Sequence, residues 1–173
     1  MPEAIIHHIK KFTTISVQTE QEIISCTRRK ELRKDATLQT YAHDFVFVET
    51  GLLLKIDDRN DRTTHIIAEN DVLLFPPVTD PHSFVTVERC VLWIMPRADV
   101  LRLIAKDTGL CATYDLLLRH WSIQRMQIVD LLLLRAAERK EAFYQRFKGI
   151  AHRIPNRRIA SYLDMSPSYF SHL

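Results

Sequence analysis

The sequence predicts an α+β protein in three parts: an antiparallel β jelly-roll barrel over 1–110, a long dimerisation helix over 111–134, and a C-terminal helix-turn-helix over 135–173 with its wing absent. Three observations predict it. Short apolar runs separated by polar or turn-forming pairs fill 28–95, the spacing of a sandwich or barrel. Beyond Arg97 the apolar period changes from that of strands to that of helices. The last eighteen residues then hold two helix starts close together, with room between them only for a tight turn.

Composition bounds these parts. With 173 residues and 46% hydrophobic content, the chain can pack one large core or two small ones. The amino terminus MPEAIIHHIKKF lacks the apolar stretch and small-residue site of a signal peptide, and no run approaches the roughly 20 apolar residues of a membrane span. A soluble, cytoplasmic protein without a membrane partner is expected. Cys26, Cys90 and Cys111 are odd in number and widely spaced, which argues against a disulfide framework and against a close-set zinc or iron–sulfur site. They read as buried thiols. Charge is uneven: residues 1–133 carry 16 basic and 18 acidic groups, whereas 134–173 carry 8 and 3. An excess of five positive charges points to an anionic partner, nucleic acid first, with a solvated basic face as the plain alternative.

In chain order, Thr19-Glu20-Gln21-Glu22 fits a capping box and should start a short helix. Eight strands are expected near 28–33, 36–41, 44–49, 52–58, 63–68, 72–75, 83–87 and 90–95, many centred on β-branched or aromatic residues such as Phe45 to Val48. Thr50-Gly51 offers a positive φ for a reversal, residues 57–61 form a polar hairpin loop, and Pro76-Pro77 must end the sixth strand. From Arg97 to about Gly149 the helical period holds, with Gly109 as the expected break. Tyr114, Leu117, Leu118, Trp121, Arg125, Ile128 and Leu132 share one face, and residues 131–134 are apolar nearly all round. That stripe is either intramolecular core or the seam of a parallel helix pair across a twofold axis, held by Leu117, Trp121, Arg125 and Ile128.

In the tail, Asn156 can cap one helix and Ser166 the next, with Pro167 suited to a first turn because its φ is preset. Asp164-Met165 leaves a turn tight enough to force a steep crossing, and Ala160 supplies the small residue where the helices touch. Ile159, Leu163, Met165, Phe170 and Leu173 take the core positions. In a helix-turn-helix the second helix enters the major groove; Ser168, Tyr169 and His172 would then face base edges, and Ser166, Arg157 and Arg158 phosphates. Two arginines in a first turn oppose the helix dipole, so something other than helix stability favours them. A plain helical hairpin is the alternative.

The segments RKELRKDATLQTY, FVFVETGLLLK, ENDVLLF and RIPNRRIASYLDMSPSYFSHL resemble parts of the Crp/Fnr superfamily, the last most specifically and in the form common in Bacteroidetes-like genomes. The resemblance covers nearly the whole chain. It implies a cyclic-nucleotide-binding-like jelly roll, a dimerising helix and a winged helix-turn-helix, hence double-stranded DNA and a second copy as partners, with a small-molecule effector in addition.

Three departures qualify it. Nucleotide-binding members carry a glycine–glutamate pair and an arginine in the loop before the seventh strand, whereas residues 76–83 here hold three prolines, no glycine, no arginine and Asp80. That loop lacks amide donors and repels phosphate, so cyclic AMP binding in the family manner is not expected. Asp164 replaces the glycine usual at the turn, which aspartate tolerates. Leu173 falls inside the recognition helix, which leaves about 12 Å of helix and no wing. No cofactor is expected, since the Fnr-type cysteines are missing and no histidine spacing builds a metal site. An enzyme of the cupin kind would need inward histidines on adjacent strands, and His43, His65 and His82 fall at strand ends or in loops. The remaining alternative is a dimeric effector-sensing or protein-interaction module that binds DNA weakly.

Overall fold

A computed structural model of the chain describes residues 3–77 and 79–173, without the side chains at 117, 120, 121, 124 and 125. Two short helices, α1 (Glu3–Lys10) and α2 (Val17–Cys26), precede seven strands: β1 (Arg28–Leu32), β2 (Phe45–Thr50), β3 (Leu53–Asp57), β4 (Arg62–Ile67), β5 (Val72–Leu74), β6 (His82–Thr86) and β7 (Cys90–Met95). Helices α3 (Arg97–Lys106), α4 (Thr108–Leu133), α5 (Ala136–Arg146), α6 (Asn156–Tyr162) and α7 (Pro167–His172) follow, with a 3-10 turn at Ala151–Arg153. The α+β class is as the sequence predicts.

The strands form two antiparallel sheets, ordered β1-β7-β2-β5 and β4-β3-β6. No ladder joins them among the described residues, so the expected barrel is an open two-sheet sandwich. The strand expected at 36–41 is absent; this segment pairs with β6 through one isolated Thr37–Val85 bridge, with main-chain bonds from Leu38 N to Phe84 O and from Thr86 N to Ala36 O. Asp35 turns it with φ 60°, and the Thr86 hydroxyl binds Ala36 N and Arg33 O, taking the place of a regular ladder. Gly51 has φ 98°, and a Cβ there would meet Arg89 O and Cys90 Sγ at 2.6 Å, so the β2–β3 reversal requires glycine.

Alternation along β2 buries both faces. Val46 and Val48 join Leu53, Phe84, Leu92 and Ile94 between the sheets, while Phe45 and Phe47 face α1, α2 and α3 with Ile5, Ile9, Ile23 and Leu103. On the other side, Leu54 and Ile56 of β3 face the C-terminal helices, where Phe143, Ile159, Leu163 and Phe170 are at most 2% exposed. Four layers result: helices, sheet, sheet, helices.

Two helix boundaries differ from the expectation. Ser16, not Thr19, caps α2: its side chain accepts from the Thr19 amide at 3.0 Å, and the Thr19 hydroxyl is left to bind Asp107. The long helical run breaks at Asp107, whose carboxylate caps α4 through the Gly109 and Leu110 amides, and again at Leu134, where ψ is 157°. Gly109 lies in the first turn of α4, where a Cβ would stand 2.5 Å from Thr13 Oγ1; it permits a close approach and breaks nothing.

Candidate nucleic-acid interface

Helices α6 and α7 form a tight unit built by their caps. At the end of α6, Asp164 adopts φ 57°, its amide donates to Ser161 O at 3.2 Å, and the Met165 amide donates to Ala160 O at 2.9 Å. This pair of bonds is a Schellman closure, with aspartate at the left-handed position usually held by glycine. Ser166 then caps α7, accepting from the Tyr169 amide at 3.2 Å, and Pro167 opens the helix. Ala160 has no exposed surface and Phe170 is 2% exposed, so the two helices touch at the small residue and close over the aromatic one.

The expected caps and core differ in two places. Pro155, not Asn156, takes the N-cap position of α6, with φ −57° and ψ 134°; the proline ring presets that geometry, and Asn156 becomes the first helical residue. Leu173, expected in the core, is 42% exposed; Phe170 and the half-buried Met165 close the core without it.

Ser168, Tyr169 and His172 are exposed on α7, as base-facing side chains must be, and Tyr169 presents half of its surface. Arg157 is exposed and has no ion pair among the described residues. Arg158 is placed otherwise. Its guanidinium donates to Asp61 Oδ1 at 2.8 Å and to Asp61 O at 3.1 Å, and its side chain is only 17% exposed. Of the expected pair of phosphate contacts, one arginine is therefore taken up by the β3–β4 hairpin.

That hairpin anchors the unit at further points. Ser161 Oγ accepts from the Thr63 amide at 2.9 Å, and Arg62 lies 3.6 Å from Asp164. Asn60, Asp61 and Arg62 share a cleft with Arg157, Ser166 and Pro167, so the acidic hairpin borders the amino-terminal ends of both helices.

Three basic residues that the sequence did not single out hold the assembly. Arg139 donates to Leu132 O, Leu134 O and Leu163 O, joining the carboxyl ends of α4 and α6. Lys140 donates to Phe170 O at 2.8 Å and stands 4.5 Å over its ring. Arg153 pairs with Glu69 at 2.5 Å and with Glu88, linking the 3-10 turn to the sheets. Hydrogen bonds from Arg153 hold the Glu69 carboxyl below the usual glutamate range against the opposing effect of burial. The only advance signal was position, since Arg139 and Lys140 fall just beyond an apolar run.

On α4, Ile128 is half-buried against the C-terminal core. The side chains of Leu117, Trp121 and Arg125 lie outside the described residues. Elsewhere on this helix Leu118, Met126, Val129 and Leu133 are exposed by 40 to 80%. In the 76–83 loop, Val78 is outside the described residues, while Asp80 pairs with Lys55 at 3.3 Å and with His82. Burial raises the Asp80 carboxyl, but these partners outweigh it and leave it below its ordinary value. The sequence reading missed Lys55, which supplies the loop with a cation from β3. Among the described residues no group of side chains suits a metal ion, and no helix is long and apolar enough to cross a membrane.

No protein-family model and no curated protein matches the chain by sequence. By structure it is similar to FixK2 from Bradyrhizobium japonicum, with TM-score 0.73 and 15% identity over 84% of this chain and 81% of the other. It is also similar to a protein from Eubacterium rectale assigned to the transcriptional regulators of the Crp/Fnr family, with TM-score 0.72 and 12% identity over 91% and 81%. The c-di-GMP responsive global regulator CLP of Xanthomonas campestris gives TM-score 0.69 and 11% identity over 91% and 89%. The class these likenesses define is a fold: a cyclic-nucleotide-binding-like sandwich followed by a long helix and a helical C-terminal unit.

Proposed function

We propose that this chain is a DNA-binding transcription regulator of the Crp/Fnr type, not an enzyme, and that it acts as a cytoplasmic homodimer. The observation that carries this is the α6–α7 unit, whose Schellman closure and serine cap expose Ser168, Tyr169 and His172 while burying Ala160 and Phe170. Similarity of fold to a protein assigned to that family supports the reading. Within it, residues 1–110 form the sensor, 111–134 the dimer helix and 135–173 the DNA-binding part, of the branch common in Bacteroidetes-like genomes. The dimer seam follows α4 through Leu117, Trp121, Arg125 and Ile128. The exposed Leu118, Met126, Val129 and Leu133 lie on the neighbouring face of the same helix and support an apolar cover for α4 from outside the chain. Three prolines in the 76–83 loop, with Lys55 spent on Asp80, speak against a cyclic nucleotide held there by backbone amides.

Fluorescence anisotropy on palindromic duplexes with half-sites about 34 Å apart tests the reading. Arg157→Ala should weaken binding to all sequences and lower the salt slope by about one unit. Ser166→Ala should also weaken all sequences alike, whereas Ser168→Ala, Tyr169→Ala and His172→Ala should relax discrimination between operator variants. Absence of binding to any duplex at low salt, by a folded dimer, would sink the proposal.

A further inference from the structure

The three side chains expected to meet phosphates, Arg157, Arg158 and Ser166, line one cleft, and its other wall is the β3–β4 hairpin with Asn60, Asp61 and Arg62. Asp61 already holds Arg158 there, accepting at 2.8 Å through Oδ1 and at 3.1 Å through its carbonyl oxygen. A DNA phosphate would ask the same guanidinium for the same charge-assisted bonds. Asp164 also lines the cleft, 3.6 Å from Arg62, so an entering phosphate meets two carboxylates as well as the arginines. Behind the cleft, α6 packs on β4, an edge strand of its sheet. The Thr63 amide donates at that edge to Ser161 Oγ at 2.9 Å, and the Ser161 hydroxyl donates to Asp61 O at 3.4 Å.

This contact carries a defect. Thr63 pairs across the ladder with Ile56, is 1% exposed, and its hydroxyl has no hydrogen-bond partner among the described residues. A buried hydroxyl left unpaired forfeits its hydration, a loss that reverses once water reaches it. Separation of α6 from β4 would hydrate Thr63 and free Arg158 in one step. We infer that the hairpin and β4 hold the α6–α7 unit in a state closed to DNA, with Asp61 in the place of a phosphate on Arg158, and that a duplex binds only after α6 leaves β4. This rests on the DNA-binding function proposed above and adds its regulation. The apparent affinity is then the intrinsic affinity multiplied by the fraction of chains released. While most chains are docked, any change in the docking equilibrium alters DNA affinity by the same factor.

Hydrogen exchange of the Thr63 amide in the full chain without DNA reads release, and anisotropy with duplex DNA at low salt reads affinity. Thr63→Val keeps the side-chain shape and removes the unpaired hydroxyl at a buried position that DNA does not reach. It should raise the protection of that amide about fivefold or more and weaken DNA binding by the same factor. Asp61→Asn keeps a residue that tolerates the φ of 56° and removes only the charge; it should lower the protection and tighten DNA binding, each about threefold or more. Saturating duplex should speed exchange of the Thr63 amide in the wild type. An amide that stays protected with duplex bound overturns the inference, because the docked unit then binds DNA as it stands. So does a Thr63→Val protein whose protection rises while its affinity stays at the wild-type value, which makes the contact structural only. If Thr63→Val instead lowers the unfolding midpoint, Asp61→Asn decides, and an affinity no tighter than wild type overturns the inference. In all these outcomes the wild type still binds DNA. If neither wild type nor Asp61→Asn binds any duplex, the proposed function itself fails, and its regulation falls with it.

Discussion

The two helical layers cover opposite faces of the same sandwich, and they are attached by different chemistry. The amino-terminal layer meets the sheet through apolar side chains, Ile5, Ile9 and Ile23 against Phe45, Phe47 and Trp93, and its ion pairs run from helix to helix, as in Arg102 and Lys106 with Glu22. The carboxyl-terminal layer also buries an apolar face, but charged and polar bonds to the sheets surround it: Arg153 to Glu69 and Glu88, Arg158 to Asp61, Arg62 to Asp164, and Thr63 to Ser161. Apolar burial is indifferent to small shifts in direction, whereas ion pairs fix a geometry and respond to pH and salt. The first layer is therefore seated on the sandwich by apolar burial, and the second is docked on it by directional bonds as well.

The largest expected effect tests whether the docked layer nonetheless has a core of its own. Phe143 has no exposed surface and packs on Tyr144, Phe147 and Tyr162, so Phe143→Ala should cost about 3–5 kcal/mol in urea unfolding. A loss below about 1 kcal/mol would show that polar bonds alone hold this layer.

Next comes Arg153→Ala, which leaves Glu69 and Glu88 facing each other without their cation; a cost of about 1–3 kcal/mol is expected for a pair this exposed. The pH dependence carries a definite sign. Glu69 is held below its ordinary 4.5 in the folded chain, so its contribution is complete above that value and is lost as pH falls below it. Wild type should lose more stability than Arg153→Ala on going from pH 6 to 3, with the gap closing at the acid end. An equal loss in both would assign the acid sensitivity elsewhere.

Arg158→Ala separates docking from nucleic-acid contact. Exposed pairs contribute about 0–1 kcal/mol, so stability should fall little, and DNA affinity less than in Arg157→Ala, because Asp61 already occupies the guanidinium. Asp61→Ala should release Arg158 and steepen the salt slope towards that of two free arginines. If Arg157→Ala and Arg158→Ala lower affinity equally in anisotropy titrations, the hairpin does not hold Arg158 in solution. The smallest effect belongs to the other layer: Lys10→Ala, which breaks an exposed pair with Glu20, should change thermal stability by less than about 0.5 kcal/mol.

Much of this was legible beforehand because it depends on short stretches of chain. Alternation at Phe45–Val48, the positive φ at Gly51, the hairpin at 57–61, the Ser166 cap with Pro167, and the turn at Asp164 are each set by a few neighbouring residues. The strand lost at 36–41 and the cap moved from Thr19 to Ser16 show the limit of that method. In both, a distant residue, Thr86 or Asp107, competes for the same hydrogen bonds.

The sequence by itself determined the order of strands and helices, the switch of period near Arg97, and the small and capping residues that make α6–α7 a tight pair, since local sterics and caps act within a turn or two. Only the tertiary structure decided that the sandwich stays open, that Arg139 joins two helix ends, and that Asp61 takes Arg158 while Arg157 stays exposed. The residues of that last contact lie 97 positions apart, a separation that folding closes and no local pattern encodes.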